Sequence, residues 1–131
     1  QYERVRHLVE LPEGGASLEE RAAAIARQRV TLFEVVFPAA RVSRLRAPFH
    51  RVIAEELAAS RRFLAKQVEA QFAPELAGLP LAGRTSLVAA AEALCSFEAF
   101  ELWRTGRGLS PVEIEDVLHR GLLRLFATHN S

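Results

Sequence analysis

The sequence predicts an all-α fold, a helical bundle of about six helices, on three observations. Apolar residues recur at helical spacing almost throughout, and no stretch alternates as a strand would. No Asn-Gly or Asp-Gly hairpin turn occurs. The 22 alanines and 16 arginines, set against the single Lys66, weight the chain toward strong helix formers. Proline and glycine then cut it into separate pieces.

The first piece, Gln1 to Glu10, reads as the end of a helix, closed by Pro12, Gly14 and Gly15. Ser17-Leu18-Glu19-Glu20 has the form of a capping box, in which hydroxyl and carboxylate each take up an orphan backbone N–H. A helix follows to about Phe37, its inner face drawn from Ile25, Arg29, Leu32, Phe33, Val35 and Val36. Pro38 suits the first turn of a new short helix through Arg46, where its missing N–H is not needed. Pro48 opens the longest predicted helix, to Ala73, with Ile53, Leu57, Leu64, Val68 and Phe72 in one stripe. Phe63, Gln67 and Gln71 form a mixed stripe beside it.

Pro74, Gly78, Pro80 and Gly83 mark a long turn. Arg84 to Thr105 reads as one helix, apolar on most sides and therefore covered on more than one face. Gly106 and Gly108 end it. Ser110-Pro111-Val112-Glu113 is a second capping box with proline at the first helical position. The last helix, to about Thr128, turns Ile114, Val117, Leu118, Gly121, Leu122, Leu125 and Phe126 to one side. Gly121 costs about 1 kcal/mol relative to alanine in a helix interior, and close approach by another helix is one use for it.

Composition excludes several classes. The 131 residues suffice for about one domain. Half are hydrophobic and a quarter charged, which argues against disorder. A net charge of +1 argues against a chain built to grip DNA or an anionic membrane. No apolar run approaches the roughly 20 residues of a membrane span, and Gln1-Tyr2-Glu3-Arg4 lacks the charged-then-apolar layout expected of a signal peptide. One cysteine excludes an intramolecular disulfide framework and fits a reducing, cytoplasmic setting. No methionine is present, so an N-terminal portion is expected upstream of Gln1.

Catalytic signals are missing, so no enzyme and no cofactor is expected. His7, His50, His119 and His129 share no helical face at ligand spacing, and no metal site is expected. Cys95 lies within an apolar helix, where a buried thiol is the simplest reading. Arg41, Arg44, Arg46, His50 and Arg51 form a basic cluster. It reads as an anion site or, with precedence, as a solvated linker face.

The aromatic set carries more. Phe33, Phe37, Phe63, Phe97, Phe100 and Trp103 fall on three central helices, with Gln67 and Gln71 one turn apart beside Phe63. An apolar cavity between helices with a few polar groups is the usual form of a small-molecule site. Buried amides without partners cost about 1–3 kcal/mol each. The two glutamines therefore face solvent or line a polar-lipped cavity, and the sequence leaves both open.

Phe72-Ala73-Pro74-Glu75-Leu76, then Ser96-Phe97-Glu98-Ala99-Phe100 with Leu102 and Arg104, then Gly108-Leu109-Ser110, Glu113, Leu118 and Leu122-Leu123, form a familiar pattern. Over Phe72 to Leu125 the chain resembles the C-terminal effector domain of tetracycline-repressor-like (TetR) transcriptional regulators, the actinobacterial type in particular. From Ser17 to Phe72 only helix order and lengths agree. The resemblance implies that residues 1–131 are a ligand-binding and dimerisation domain, with residues 1–10 ending the connecting helix. It implies a repressor answering to a small, mostly hydrophobic effector, and operator DNA contacted only through an N-terminal helix-turn-helix domain that this sequence lacks. It implies a homodimer in which the last two long helices pair with their copies as a four-helix bundle. Leu87, Leu94, Val117, Leu118, Gly121, Leu122 and Leu125 are the expected interface, and no membrane partner is expected. The alternative is a helical dimerisation or interaction module, or a small-molecule carrier, without a DNA-binding role.

Overall fold

A computed structural model describes Leu11, residues 16–46 and residues 51–127, with side chains described outside Val36 and residues 38–58. The expected connecting helix over residues 1–10, and the side chains of Arg41, Arg44, Arg46, His50 and Arg51, lie outside the described residues. The order is α1 (Leu18–Arg46), α2 (Arg51–Gln71), α3 (Ala73–Leu76), α4 (Leu81–Leu94), α5 (Phe97–Glu101) and α6 (Pro111–Phe126). A π-helical turn, Leu102–Gly106, continues α5. The fold is all-α, as the sequence predicts, with no strand among the described residues.

Both capping boxes form. Ser17 Oγ accepts from the Glu20 amide at 3.1 Å, and Glu20 Oε1 accepts from the Ser17 amide at 2.9 Å. Ser110 and Glu113 repeat the arrangement at the start of α6, with Pro111 in the first turn. Each box satisfies two N–H groups that a helix start leaves orphaned.

Two helices differ from expectation. α1 runs through Pro38 to Arg46, so no new helix starts at the proline. Proline removes one ladder bond, to the carbonyl four residues back, but the rest of a 29-residue helix remains to carry it. Conversely, the single helix expected from Arg84 to Thr105 is broken. Ser96 takes an extended backbone conformation (φ −85°, ψ 160°). Its Oγ accepts from the Ala99 amide at 3.1 Å and donates to the Ala93 carbonyl at 2.7 Å. One hydroxyl thus caps the start of α5 and the end of α4, offering the backbone an alternative to a continuous ladder.

The π turn closes with the Arg107 amide on the Leu102 carbonyl at 3.1 Å, one residue wider than an α-helical bond. Gly108 then adopts φ 68°, a left-handed conformation that a side chain would strain. It reverses the chain toward Ser110.

α1 lies along α6, and α4 packs against both α2 and α6. Two buried clusters result. The first joins Ala22, Ile25 and Ala26 of α1 to Val68, Phe72, Leu76, Ala91, Leu118, Leu122 and Phe126. The second joins Val30, Leu32 and Phe33 to Phe100 and Ile114, with Phe37, Phe97 and Trp103 packed on it. No described helix is long and apolar enough to cross a membrane.

Candidate functional site

The site lies where the two clusters meet, between α1, the α4–α5 break and α6. Residue spacing on α1 brings it about. Ile25 and Ala26 serve the first cluster, and Val30 and Phe33 the second. Arg29, one turn beyond Ile25 on the same face, falls between them. Its side chain is only 1 % exposed. Nη2 donates to the Leu64 carbonyl at 2.8 Å, and Nη1 donates to Gln67 Oε1 at 3.2 Å. Nε has no hydrogen-bond partner. Burial pulls the guanidinium below its ordinary pKa, an effect opposed by the neighbouring Cys95.

Cys95 is buried, as the sequence suggests. Burial pushes its thiol up to about 11, with Arg29 pulling the other way. It is therefore a neutral thiol at pH 7. Gln28, also buried, donates to Gln67 Oε1 at 2.9 Å, and its own Oε1 has no hydrogen-bond partner.

Aromatic rings form the far wall. Phe33 and Phe97 meet edge to face with centroids 5.4 Å apart, and Phe33 and Phe100 are tilted at 5.6 Å. Phe37 lies 5.8 Å from Phe97 and 5.7 Å from Phe100. Trp103, on the π turn, borders the same seam as Arg29, Phe33, Cys95 and Phe100. The seam is closed and has no room for a water molecule. An occupant has to move its walls.

The expected ligand residues divide accordingly. Phe33, Phe37, Phe97, Phe100 and Trp103 converge. Gln67 reaches the seam's polar end through Gln28 and Arg29. Phe63 does not join them, being 45 % exposed. Gln71 is bound elsewhere: its Nε2 donates to the Arg21 carbonyl at 3.0 Å, while Arg21 Nη1 donates to the Gln71 carbonyl at 2.9 Å. It fastens α1 to α2, so neither of its anticipated roles, facing solvent or lining a cavity, describes it. Sequence reasoning placed Arg29 on a buried face without seeing its chemistry. The available signal was an arginine at an otherwise apolar helical position, between Ile25 and Leu32–Phe33.

The expected interface residues divide as well. Leu118 and Leu122 are 2 % and 0 % exposed within this one chain, so they offer no surface to a second copy. They sit on the α6 stripe Ile114–Leu118–Leu122–Phe126, which is buried in the two clusters against α1. Leu87, Leu94 and Leu125 are half-buried against the same core. A Cβ on Gly121 would sit 3.5 Å from Leu94 Cδ1, so the glycine faces α4 of its own chain. Val117 is exposed.

Comparison with known families, curated proteins and solved structures returns no match for this chain.

Proposed function

We propose that the chain is the ligand-binding and dimerisation domain of a one-component regulator of the TetR type. In this reading it serves a cytoplasmic repressor that answers to a small, mostly hydrophobic effector and performs no catalytic step. Operator DNA is contacted by a separate N-terminal domain. The observation that carries the reading is the seam itself. Aromatic walls from α1 and α5 border the same space as Arg29, whose buried Nε has no partner, the apolar site with few polar groups that small molecules use. Because the seam is closed, ligand entry is coupled to movement of α1 against α5 and α6. A ligand that binds the opened arrangement better shifts the balance toward it, which is what an effector must do.

Two surfaces support a homodimer. On α4, Ala82, Ser86, Ala89, Ala90 and Ala93 are exposed and uncharged. On α6, Val112 and Val117 are exposed. Small side chains let helices of two copies approach closely, and a two-fold axis would repeat both patches in one contact. A second reading, a helical dimerisation module with no ligand, is favoured by the closed seam.

Thermal melting against a library of hydrophobic compounds separates the two. An effector at 100 times its dissociation constant adds about 2.7 kcal/mol, whereas a plain module gains nothing from any compound. Light scattering is expected to give twice the chain mass at micromolar concentration, and a monomer would remove the dimerisation role. The coding sequence upstream of Gln1 is expected to encode three short helices with a basic recognition helix.

A further inference from the structure

α1 carries two inward arginines with opposite fates. Arg21 is matched: Nη1 and Nη2 donate to the two carboxylate oxygens of Glu75 at 2.6 and 2.8 Å. Arg29, eight residues later and more deeply buried, meets no carboxylate among the described residues. Its neighbours are a backbone carbonyl, an amide oxygen and a neutral thiol. Buried charges are normally paired, because an uncompensated charge in a low-dielectric interior is costly. A structural clamp between α1 and α2 would need only the two hydrogen bonds that Nη1 and Nη2 already make. It gives no use for the positive charge, nor for the Nε edge, which has no partner.

We infer that Arg29 is the anion anchor of this seam and that its ligand is an apolar molecule carrying a single carboxylate. The inference rests on the ligand-binding reading above and supplies the chemical class of the effector. Nε and a terminal nitrogen of arginine form a planar fork that matches a carboxylate. The rest of the seam is suited to the ligand's body: Phe33, Phe100 and Trp103 are apolar and border the same space as Arg29. One guanidinium balances one negative charge, and among the described residues no second cation borders the seam to hold a phosphate dianion. The carboxylate replaces the missing counter-charge while the body parts the rings.

The opening has a natural place. α5 and the π turn form a ten-residue unit, Phe97–Gly106, bounded by the Ser96 break and by Gly108. It carries Phe97, Phe100 and Trp103 together, so one displacement moves that wall as a body.

Matched pairs of acid and alcohol test the inference on the chain as it stands. 4-Phenylbutyrate and decanoate are titrated beside 4-phenylbutan-1-ol and decan-1-ol, following the melting temperature and calorimetric heat. The acids are expected to bind at least tenfold more tightly. Arg29→Met should abolish that preference, while Arg29→Lys retains part of it. Carbon-13 labelling of the decanoate carboxyl gives a second readout that needs no variant. The bound carboxyl should ionise at lower pH than the free acid, as beside a cation. Alcohols binding as tightly as acids would overturn the role of Arg29 and leave a ligand site standing. An unshifted carboxyl titration would do the same. Binding of neither acids nor alcohols would overturn the inference. If the wider library also failed to stabilise the chain, the ligand-binding reading would fall with it.

Discussion

The two buried clusters share α1 and α6 and differ in what packs against them. The first, lower cluster packs aliphatic and small side chains such as Ala22, Ile25, Val68 and Leu122, and stacks Phe72 on Phe126 with centroids 4.3 Å apart. Its flank is fastened by the Arg21–Glu75 pair and the reciprocal Arg21–Gln71 bonds. The second, upper cluster gathers five rings, Phe33 and Phe37 from α1 and Phe97, Phe100 and Trp103 from a five-residue helix and a π turn. At its edge lies a cation without a counter-charge among the described residues. The lower region pairs its buried arginine with a carboxylate, whereas the upper region leaves Arg29 Nε without a partner and is tied to α2 and α1 by the more exposed pairs Arg61–Glu98 and Arg104–Glu34, at 2.7 and 2.9 Å. A ligand-responsive domain needs both, because a fixed base turns local displacement into a directed one.

The largest expected effect lies in the lower cluster. Phe72→Ala empties a site that is 0 % exposed and removes the stack on Phe126. It should cost about 3–5 kcal/mol, read from the urea midpoint. Phe97→Ala, at a half-buried ring of the upper cluster, should cost clearly less. Equal losses would mean that the two regions are equally rigid.

The Arg21–Glu75 pair comes next. Both side chains are largely buried, and the hydrogen bond from Arg21 is the main cause that holds the Glu75 carboxyl below the usual carboxylate range. A carboxyl whose folded pKa is depressed stabilises the fold above its unfolded pKa. That contribution disappears as pH falls through the folded value. Glu75→Gln should therefore cost about 2 kcal/mol at pH 7, and the gap from the parent should shrink as pH falls through the carboxylate range. A gap that persists unchanged at low pH would show that Glu75 acts through packing alone.

Smaller still is the Ser96 hinge. Ser96→Ala removes the acceptor that caps α5 and should cost about 1 kcal/mol. Hydrogen exchange should rise from Phe97 to Gly106 and stay unchanged in α6. Faster exchange in both would join the upper wall to the base and remove the distinction between the regions.

Much of the fold was legible because its signals are local. Ser17–Glu20 and Ser110–Glu113 announce their helices by a four-residue pattern, and the stripe through Ile114, Leu118 and Leu122 announces its inner face. The errors arose where one local rule met a competing one. Pro38 reads as a helix start, yet a long helix tolerates the loss of one bond. Ser96 reads as a helix interior, yet its hydroxyl holds two helix ends at once. The aromatic wall was readable from helical spacing. The fates of Gln67 and Gln71 were not, because their partners Gln28, Arg29 and Arg21 lie 38 to 50 residues away in sequence. Nor could periodicity say that Leu118 and Leu122 are consumed by the chain's own core, since an apolar face looks the same whichever chain covers it.

Gly121 turns that last ambiguity into a measurement. A methyl group there would stand 3.5 Å from Leu94 Cδ1, an ordinary van der Waals contact, within a helix whose interior disfavours glycine. Gly121→Ala should therefore raise stability by about 0.5–1 kcal/mol. The gain should not depend on protein concentration, and the mass by light scattering should not change. In that outcome Gly121 serves only the α4–α6 contact within one chain, and a second copy must sit on Val117 and the uncharged stripe of α4. A loss of stability that grows on dilution would instead place a second copy against the glycine. The dimer contact would then reach the base that holds the two clusters together, and ligand entry above would be felt directly across the two-fold axis.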